Sequence, residues 1–488
     1  MAKKIDLTGL DHFKEEENES IAYIESSSTA SKAHKVGERF YFKGKLVICT
    51  VDIASGGTIT LNTNCKLDVL GDDVTAQSEQ IDAIGHKAYD VRRDLPSYYT
   101  VCSDAATDYD TSEYIEEKIA SVPDGKHFIF ITDTHWKTRN AKKSTMLVDY
   151  VKRRLGIKYV FFGGDILDQE STKYKGVARL KEFMNEQKSA FGKDYIVVPG
   201  NHDINVANYE AESYSLSDVI IPYTQAVKVT LSHLDNVVNR SFNDYTSYTS
   251  DSDTLNELHE YDKMHYYLDD DINQIRFIVL QTGNIQSGVV NDVFGARGNI
   301  EVYLQMEWFA QTLASVPANY DVVVLGHYFK NPTADSMADN IKNLFVLGYA
   351  RKNKTTGTVY VPSTIGTNLA DFYSKGNHSY DFSTASTIGQ VIYLSGHIHY
   401  DWASIITGAK LANFSINSES TTISNGVLHI VSQCDQNVIS TTPYIAEKEH
   451  VMTVGTITEQ CFDVITIKND KSVVCTRFGA GYDRNFSA

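Results

Sequence analysis

Five times along this chain, an apolar run of strand type stops abruptly at carboxylate, carboxamide or imidazole side chains. The first is Phe128-Ile-Phe-Ile-Thr-Asp133-Thr-His135. Tyr159-Val-Phe-Phe then leads into Gly163-Gly-Asp165-Ile-Leu-Asp168, and Tyr195-Ile-Val-Val into Pro199-Gly-Asn201-His202-Asp203. The last two are Asp321-Val-Val-Val-Leu-Gly-His327 and Val391-Ile-Tyr-Leu-Ser-Gly396-His397-Ile-His399. A short apolar run reads as a buried strand, and its last side chains reach the sheet edge where open α/β folds keep their ligand sites. Between these runs, Leu147, Tyr150, Val151 and Leu155 keep helical spacing, as do Val177, Leu180 and Met184, and a further helix is expected over Gln305–Leu313. Strand and helix in alternation predict an α/β sheet with crossover helices.

A chain of 488 residues is too long for one ordinary core, so two or three domains are expected. Residues 1–34 are polar and read as a loose arm. From Gly37 the texture turns to short β runs: Arg39-Phe-Tyr-Phe, Lys45-Leu-Val-Ile-Cys-Thr-Val and Thr58-Ile-Thr-Leu, separated by glycine turns. The arm and this small β module fill residues 1–73. Residues 74–125 read as a polar helical linker, able to associate between chains, closed by Pro123-Asp-Gly125. The remainder, 126–488, forms the last domain, interrupted by polar insertions at about 206–264 and 331–388, which either are solvated elaborations or rim the site. Trp136 reads equally well as a cleft wall or as core.

A net charge of −17 argues against sequence-independent grip on nucleic acid, which needs clustered Lys and Arg. The six cysteines are dispersed without a C-x-x-C, which reads as reduced thiols and no structural zinc. No apolar stretch has signal-peptide or membrane-span length, so cytoplasmic synthesis and no membrane partner are expected. No P-loop, G-x-S-x-G elbow or redox motif competes with the five clusters.

Taken together and in this order, Asp133-x-His135, Gly-Asp165-x-x-Asp168, Gly-Asn201-His202-Asp203, Gly-His327 and Gly-His397-x-His399 resemble the signatures of the calcineurin-like metallophosphoesterase superfamily. The resemblance covers about 127–403. It implies a four-layer α/β/β/α sandwich, with the β-rich tail to about 480 completing the second sheet. It also implies two metal ions, one held by Asp133, His135, Asp165 and His399, the other by Asp165, Asn201, His327 and His397, with Asp165 as the bridge. Imidazole and carboxylate without thiolate suit manganese, iron, zinc or nickel over calcium. The glycines beside the ligands are expected to let the backbone turn sharply. By the same resemblance a metal-bridging hydroxide attacks a phosphoester, His202 protonates the leaving oxygen, and Asp203 and Asp168 orient imidazoles.

The module's Val36-Gly-Glu-Arg-Phe-Tyr-Phe-Lys-Gly-Lys-Leu-Val, with Ile53-Ala-Ser-Gly-Gly-Thr and Asn62-Thr-Asn-Cys65, resembles a short element of bacteriophage tail and baseplate proteins. That resemblance implies phage tail proteins as partners and a virion-associated enzyme cutting a cell-surface phosphodiester polymer such as teichoic acid. The expectation is therefore a phosphodiesterase, with a monoesterase, a nuclease of the same superfamily and a mainly binding virion protein as the alternatives.

Overall fold

The structure, a computed structural model, describes residues 24–25, 29–31, 33–36, 38–42, 45–60, 63–67, 108–136, 139–167, 172–204, 226, 229–230, 234, 252, 265–282, 297–329, 338–361, 376–407, 410–413, 421–423, 425–435 and 458–487. The chain divides into two compact units, residues 1–92 and 93–488.

In the first unit, β1 (Ile24–Glu25), β2 (Arg39–Phe42), β3 (Lys45–Cys49) and β4 (Cys65–Leu67) form one sheet in that order. Ala30, Val47, Cys49, Ile53 and Ile59 make its small core. Of the expected third run, the described residues Thr58–Thr60 supply a bridge from Thr58 to Thr29, and β4 takes the place beside β3. Asn64 explains the change. Its side chain accepts from Thr60 N (2.8 Å) and donates to Thr58 O (2.7 Å), occupying backbone groups that a strand would have used. Residues 74–107 of the expected linker and most of the N-terminal arm lie outside the described residues.

The second unit begins its described part with helix α1 (Asp108–Ser121) and β5 (Lys126–Ile131), then α2 (Arg139–Leu155), β6 (Val160–Phe162), α3 (Lys173–Phe191) and β7 (Tyr195–Val197). There follow β8 (Tyr266–Asp270), β9 (Ile275–Val279), α4 (Arg297–Ala314), β10 (Asp321–Leu325), α5 (Ala338–Lys352), β11 (Thr356–Val361), β12 (Gly376–Asp381) and β13 (Val391–Ser395). The chain closes with β14 (Trp402–Thr407), β15 (Lys410–Asn413), β16 (Thr421–Thr422), β17 (Val427–Val431), β18 (Cys461–Ile467), β19 (Val473–Gly479) and β20 (Arg484–Ser487). α3 shows how the sequence sets such bounds. Thr172 caps its first turn by accepting from Lys175 N, and Gly192, at φ 65°, ends it with N–H to Lys188 O.

Two seven-stranded sheets result, ordered β16-β20-β19-β18-β5-β6-β7 and β15-β14-β17-β13-β10-β9-β8. Alternate strand residues divide between layers, as period-2 side chains must. Phe128 and Phe130 of β5, Val323 and Leu325 of β10 and Ile392 and Leu394 of β13 pack together between the sheets. Ile129 and Ile131 face outward against α1, α2 and α3, while Val322, Val324 and Tyr393 face α4 and α5. That is the four-layer α/β/β/α sandwich. Phe128 joins its halves, meeting Phe161 edge-on at 5.8 Å and Phe277 at 5.5 Å.

Three features depart from the sequence expectations. β18, β19 and β20 do not complete the second sheet; β18 lies antiparallel beside β5, Val464 opposite Ile129. Apart from Asp463 and Thr466, both faces of β18 are apolar, Phe462 and Val464 toward the helices and Ile465 and Ile467 toward the other sheet, so it fits the sandwich interior. The insertion at 331–388 contains α5, whose Leu344, Phe345, Leu347 and Ala350 are core, and the β11–β12 hairpin. Helix α1, assigned from sequence to the linker, buries Ile115 and Ile119 in the same cluster as Ile129. The insertion at 206–264 falls almost wholly outside the described residues.

Candidate metal centre

All five sequence clusters follow the carboxyl ends of parallel strands: β5, β6 and β7 in one sheet, β10 and β13 in the other. The sandwich brings these two edges together. Hydrogen bonding continues past the strands, since Asp133 N donates to Gly164 O (2.9 Å), His135 N to Asp165 O (3.0 Å) and Trp136 N to Ile166 O (2.5 Å). The loops after β5 and β6 are thereby zipped side by side, with three charged or imidazole side chains turned to one point.

The local conformation is costly. Asp133, His135, Asp165, His397 and His399 all have positive φ, between 40° and 72°. Such residues cost about 1–2 kcal/mol each and cluster where surrounding structure over-determines them. The sharp turns are thus taken by the ligand-type residues themselves. Gly164, at φ 99°, takes such a turn as expected, while Gly200 and Gly396 serve a different need: a Cβ on Gly200 would fall 2.2 Å from Asp165 Oδ1, and one on Gly396 would fall 2.1 Å from Asp133 Oδ2.

Two groups of side chains converge. Asp133, His135, Asp165 and His399 form one, Asp165, His327 and His397 the other, with donor atoms within 4.8 Å of one another in each group. Asn201 belongs to the second: its Oδ1 lies 3.1 Å from His327 Nε2 and 3.0 Å from His397 Nδ1. Asp165 is common to both. His399 Nε2 stands 3.2 Å from Asp133 Oδ1 and 3.4 Å from His135 Nε2; His327 Nε2 stands 3.1 Å from Asp165 Oδ2. His135 Nδ1 faces Leu167 O (3.1 Å) and His327 Nδ1 faces Gly163 O (2.7 Å), so each ring turns Nε2 inward. Thr132 Oγ1 donates to Asp133 Oδ2 (2.6 Å), and Tyr328 meets the His397 ring edge-on at 4.6 Å.

The charges are strongly coupled. Burial opposes ionisation of Asp133, yet His399 beside it holds the carboxyl down at about 2; Asp165, also buried, is held well below its ordinary value by His327 and His202. Burial pushes His135 down to about 4 and His397 to about 3. His327 goes the other way: burial opposes it, but Asp165 raises it to about 9. The donor set fits a pair of cations. Carboxylate, carboxamide and imidazole lone pairs gather at two points with one shared carboxylate, and the nearest donor to buried Asp165 Oδ2 among the described residues is the His327 ring itself.

His202 begins a 3₁₀ turn, His202–Ile204. Its backbone N–H donates to Asp165 Oδ1 (2.8 Å), its ring meets His135 edge-on at 4.8 Å, and its side chain is 20% exposed. Asp203 is wholly buried and raised to about 7 by burial and by Asp165. Its carboxylate accepts from Ile166 N, Leu167 N and Gly200 N (2.7–2.8 Å), so it binds the Asp165 and Asn201 turns together. Leu167, whose N–H Asp203 accepts, also turns its carbonyl to His135 Nδ1. Asp168 lies outside the described residues. Trp136 is core, 4% exposed against Phe183 at 5.8 Å.

Sequence reading missed the carbonyls of Gly163 and Leu167, which carry no side-chain signal. It also missed a buried set of charges behind the centre, Asp401, Asp463, Arg477 and Arg484. For these a signal existed: Asp463 and Arg477 interrupt strands otherwise apolar.

A family model described as calcineurin-like phosphoesterase matches residues 126–401. Among solved structures, the chain is similar to a dimetal phosphatase from Danio rerio, at 13% identity and TM-score 0.39, covering 75% of this chain and 99% of that one. It is also similar to a purple acid phosphatase from yellow lupin (Lupinus luteus) seeds, at 12% identity and TM-score 0.33, covering 75% and 54%. No curated protein matches.

Proposed function

The chain belongs to the calcineurin-like phosphoesterase family, and from that premise we propose a dinuclear-metal hydrolase that cuts a phosphodiester in preference to a phosphomonoester. The observation carrying the proposal is the two converging donor groups that share Asp165. Two divalent ions bound there supply a lowered pKa for water and neutralisation of charge developing on phosphoryl oxygens. Asp133, His135, Asp165 and His399 would hold one ion, and Asp165, Asn201, His327 and His397 the other.

The chain's own groups account for the rest. His202 stands beside the shared carboxylate without belonging to either donor group, and its ring gives a proton to the leaving oxygen. Asp203 holds the two turns that carry Asp165 and Asn201 in register. The diester preference is supported by charge. Among the described residues, Asp133 and Asp165 form ion pairs only with histidines, and no Lys or Arg stands against them. A singly charged diester needs less compensation than a monoester dianion. The narrower reading, a tail-associated enzyme acting on a surface phosphodiester polymer, draws support from the wording of residues 36–65 alone.

Metal analysis of the purified protein, with turnover of bis(p-nitrophenyl) phosphate and p-nitrophenyl phosphate, tests the proposal. Two ions per chain and faster diester turnover are expected. Faster monoester turnover would reverse the preference, and inertness with two ions bound would favour a binding domain.

A further inference from the structure

Asp133, His135 and Asp165 are fixed by the zipped loops after β5 and β6. His397 and His399 lie on another loop, residues 396–401 between β13 and β14, with far less backbone support. Gly396 N donates to His327 O (3.0 Å), Ile398 N to Gly396 O (2.9 Å), and His397 N to the Asp133 carboxylate (3.0 Å). Both histidines hold positive φ, 72° and 60°, and the His399 side chain is 29% exposed. Something must hold the far end of this loop.

Asp401 does so. It is 3% exposed, and its Oδ1 accepts from Gln433 N (3.0 Å) and from Arg477 Nη2 (2.6 Å), with Arg484 Nη1 at 3.4 Å. Arg477 belongs to β19, in the opposite sheet. Its remaining donors are spoken for: Nε to Asp463 Oδ1 (2.8 Å) and Nη1 to Ala480 O (2.9 Å). Gly481, at φ 110°, closes over the pair; a Cβ there would sit 2.9 Å from Asp401 Oδ2 and 2.7 Å from Arg477 Nη1. The guanidinium thus ties the His399 loop across the sandwich by a fixed, fully buried fork.

We infer that Asp401, clamped by Arg477, is a positioning residue for His399, and so governs the Asp133–His135–Asp165–His399 group rather than the group around His327. The inference rests on the two-ion reading above. Residues that orient metal ligands typically contribute 10–100-fold in affinity. In the full-length protein, titration with Mn²⁺ should show Asp401→Asn weakening one of two ions by about that factor, with the other within about two-fold. Electron paramagnetic resonance at two equivalents should change from a coupled pair to isolated Mn²⁺. Arg477→Lys should act in the same direction. Asp321→Asn removes a different buried carboxylate, paired with Lys126 and Lys471 at the start of β10, and should lower thermal stability while leaving both affinities intact. Equal weakening of both ions by Asp401→Asn, or unchanged affinities with only a lowered melting temperature, would overturn the inference. Wild-type protein taking up fewer than two Mn²⁺ would overturn the two-ion reading, and the inference with it.

Discussion

Two sets of charged groups are buried in this sandwich, and they are built on opposite plans. Around Arg477 and Arg484, two guanidinium groups face two carboxylates, and the pairing is dense. Asp463 accepts from Arg477, Arg484 and Ser432, and burial notwithstanding, the two arginines hold it at about 2. At the strand ends, acceptors face acceptors, and five residues hold a strained backbone. In the first set every charge faces an opposite charge, Arg484 Nε being the one donor of the two arginines without a hydrogen-bond partner among the described residues. The second gathers carboxylates, a carboxamide and imidazoles, with no Lys or Arg paired to its carboxylates among the described residues. Burial alone therefore does not distinguish a functional charge from a structural one; pairing with Lys or Arg does.

The largest expected effect breaks the second set. Asp165→Ala should lose both ions and on the order of 10⁴-fold or more in turnover, because one carboxylate serves both positions. Asn201→Ala should chiefly weaken one ion. Two metals retained per chain in Asp165→Ala, by elemental analysis, would show that Asp165 is not the bridge. The first set should respond in stability instead. Asp463→Asn leaves a buried arginine uncompensated, at roughly 3–5 kcal/mol by urea denaturation of metal-free protein. Metal-free Asp165→Asn should lose far less. His327 can shed its proton when its partner goes, whereas arginine cannot. Similar losses in the two variants would erase the distinction drawn above.

His202 sharpens the comparison from within the second set. Its Nδ1 is buried without a hydrogen-bond partner among the described residues, yet it lies outside both donor groups. If it gives a proton to the leaving oxygen, His202→Ala should keep both ions and lose about 10²–10⁴-fold on an alkyl phosphodiester. The loss on a nitrophenyl ester, whose leaving group needs no proton, should be far smaller. Equal losses at full metal occupancy would make His202 a binder of phosphoryl oxygens.

Much of this was readable in the sequence, and the reason is geometric. A parallel strand buried on both faces is a nearly continuous apolar run, so its end is sharply marked, and ligands placed there stand out. Asp133, His135, Asp165, Asn201, His327, His397 and His399, which the fold brings together, stood out in the sequence for that reason. What was not legible depends on contacts distant in sequence. Nothing local tells β18 to lie beside β5, and a carbonyl such as Leu167 O leaves no mark. Helix α5 was hidden by polar neighbours around Phe345-Val-Leu, its burial being decided by α4 and β13. The backbone of Thr58 and Thr60 went to the Asn64 side chain, where strand propensity pointed elsewhere.

Asp435 fits neither plan, and so tests whether two plans suffice. It is wholly buried beside the first set, accepting from Cys461 N (2.7 Å), while its own N–H donates to Thr132 O (3.0 Å). Burial raises it to about 8, hydrogen bonds from Ser144 and Cys461 pulling only partly against that. Its folded pKa therefore lies above its unfolded value near 4. Between those two values the native state keeps a proton that the unfolded chain has lost, so stability falls as pH rises. The contribution is full below about pH 4 and is lost by about pH 8, at up to about 1.4 kcal/mol per pH unit. Asp463 has the opposite sign: its pKa is lowered, and its contribution disappears only as pH drops from about 4 toward 2. Asp435→Asn keeps an acceptor for Cys461 N and removes the titration. Measured by urea denaturation at pH 5 and pH 8, the variant should gain on wild type as pH rises. An unchanged difference across that window would mean that Asp435 is ionised in the folded protein, and that Arg477 reaches it after all.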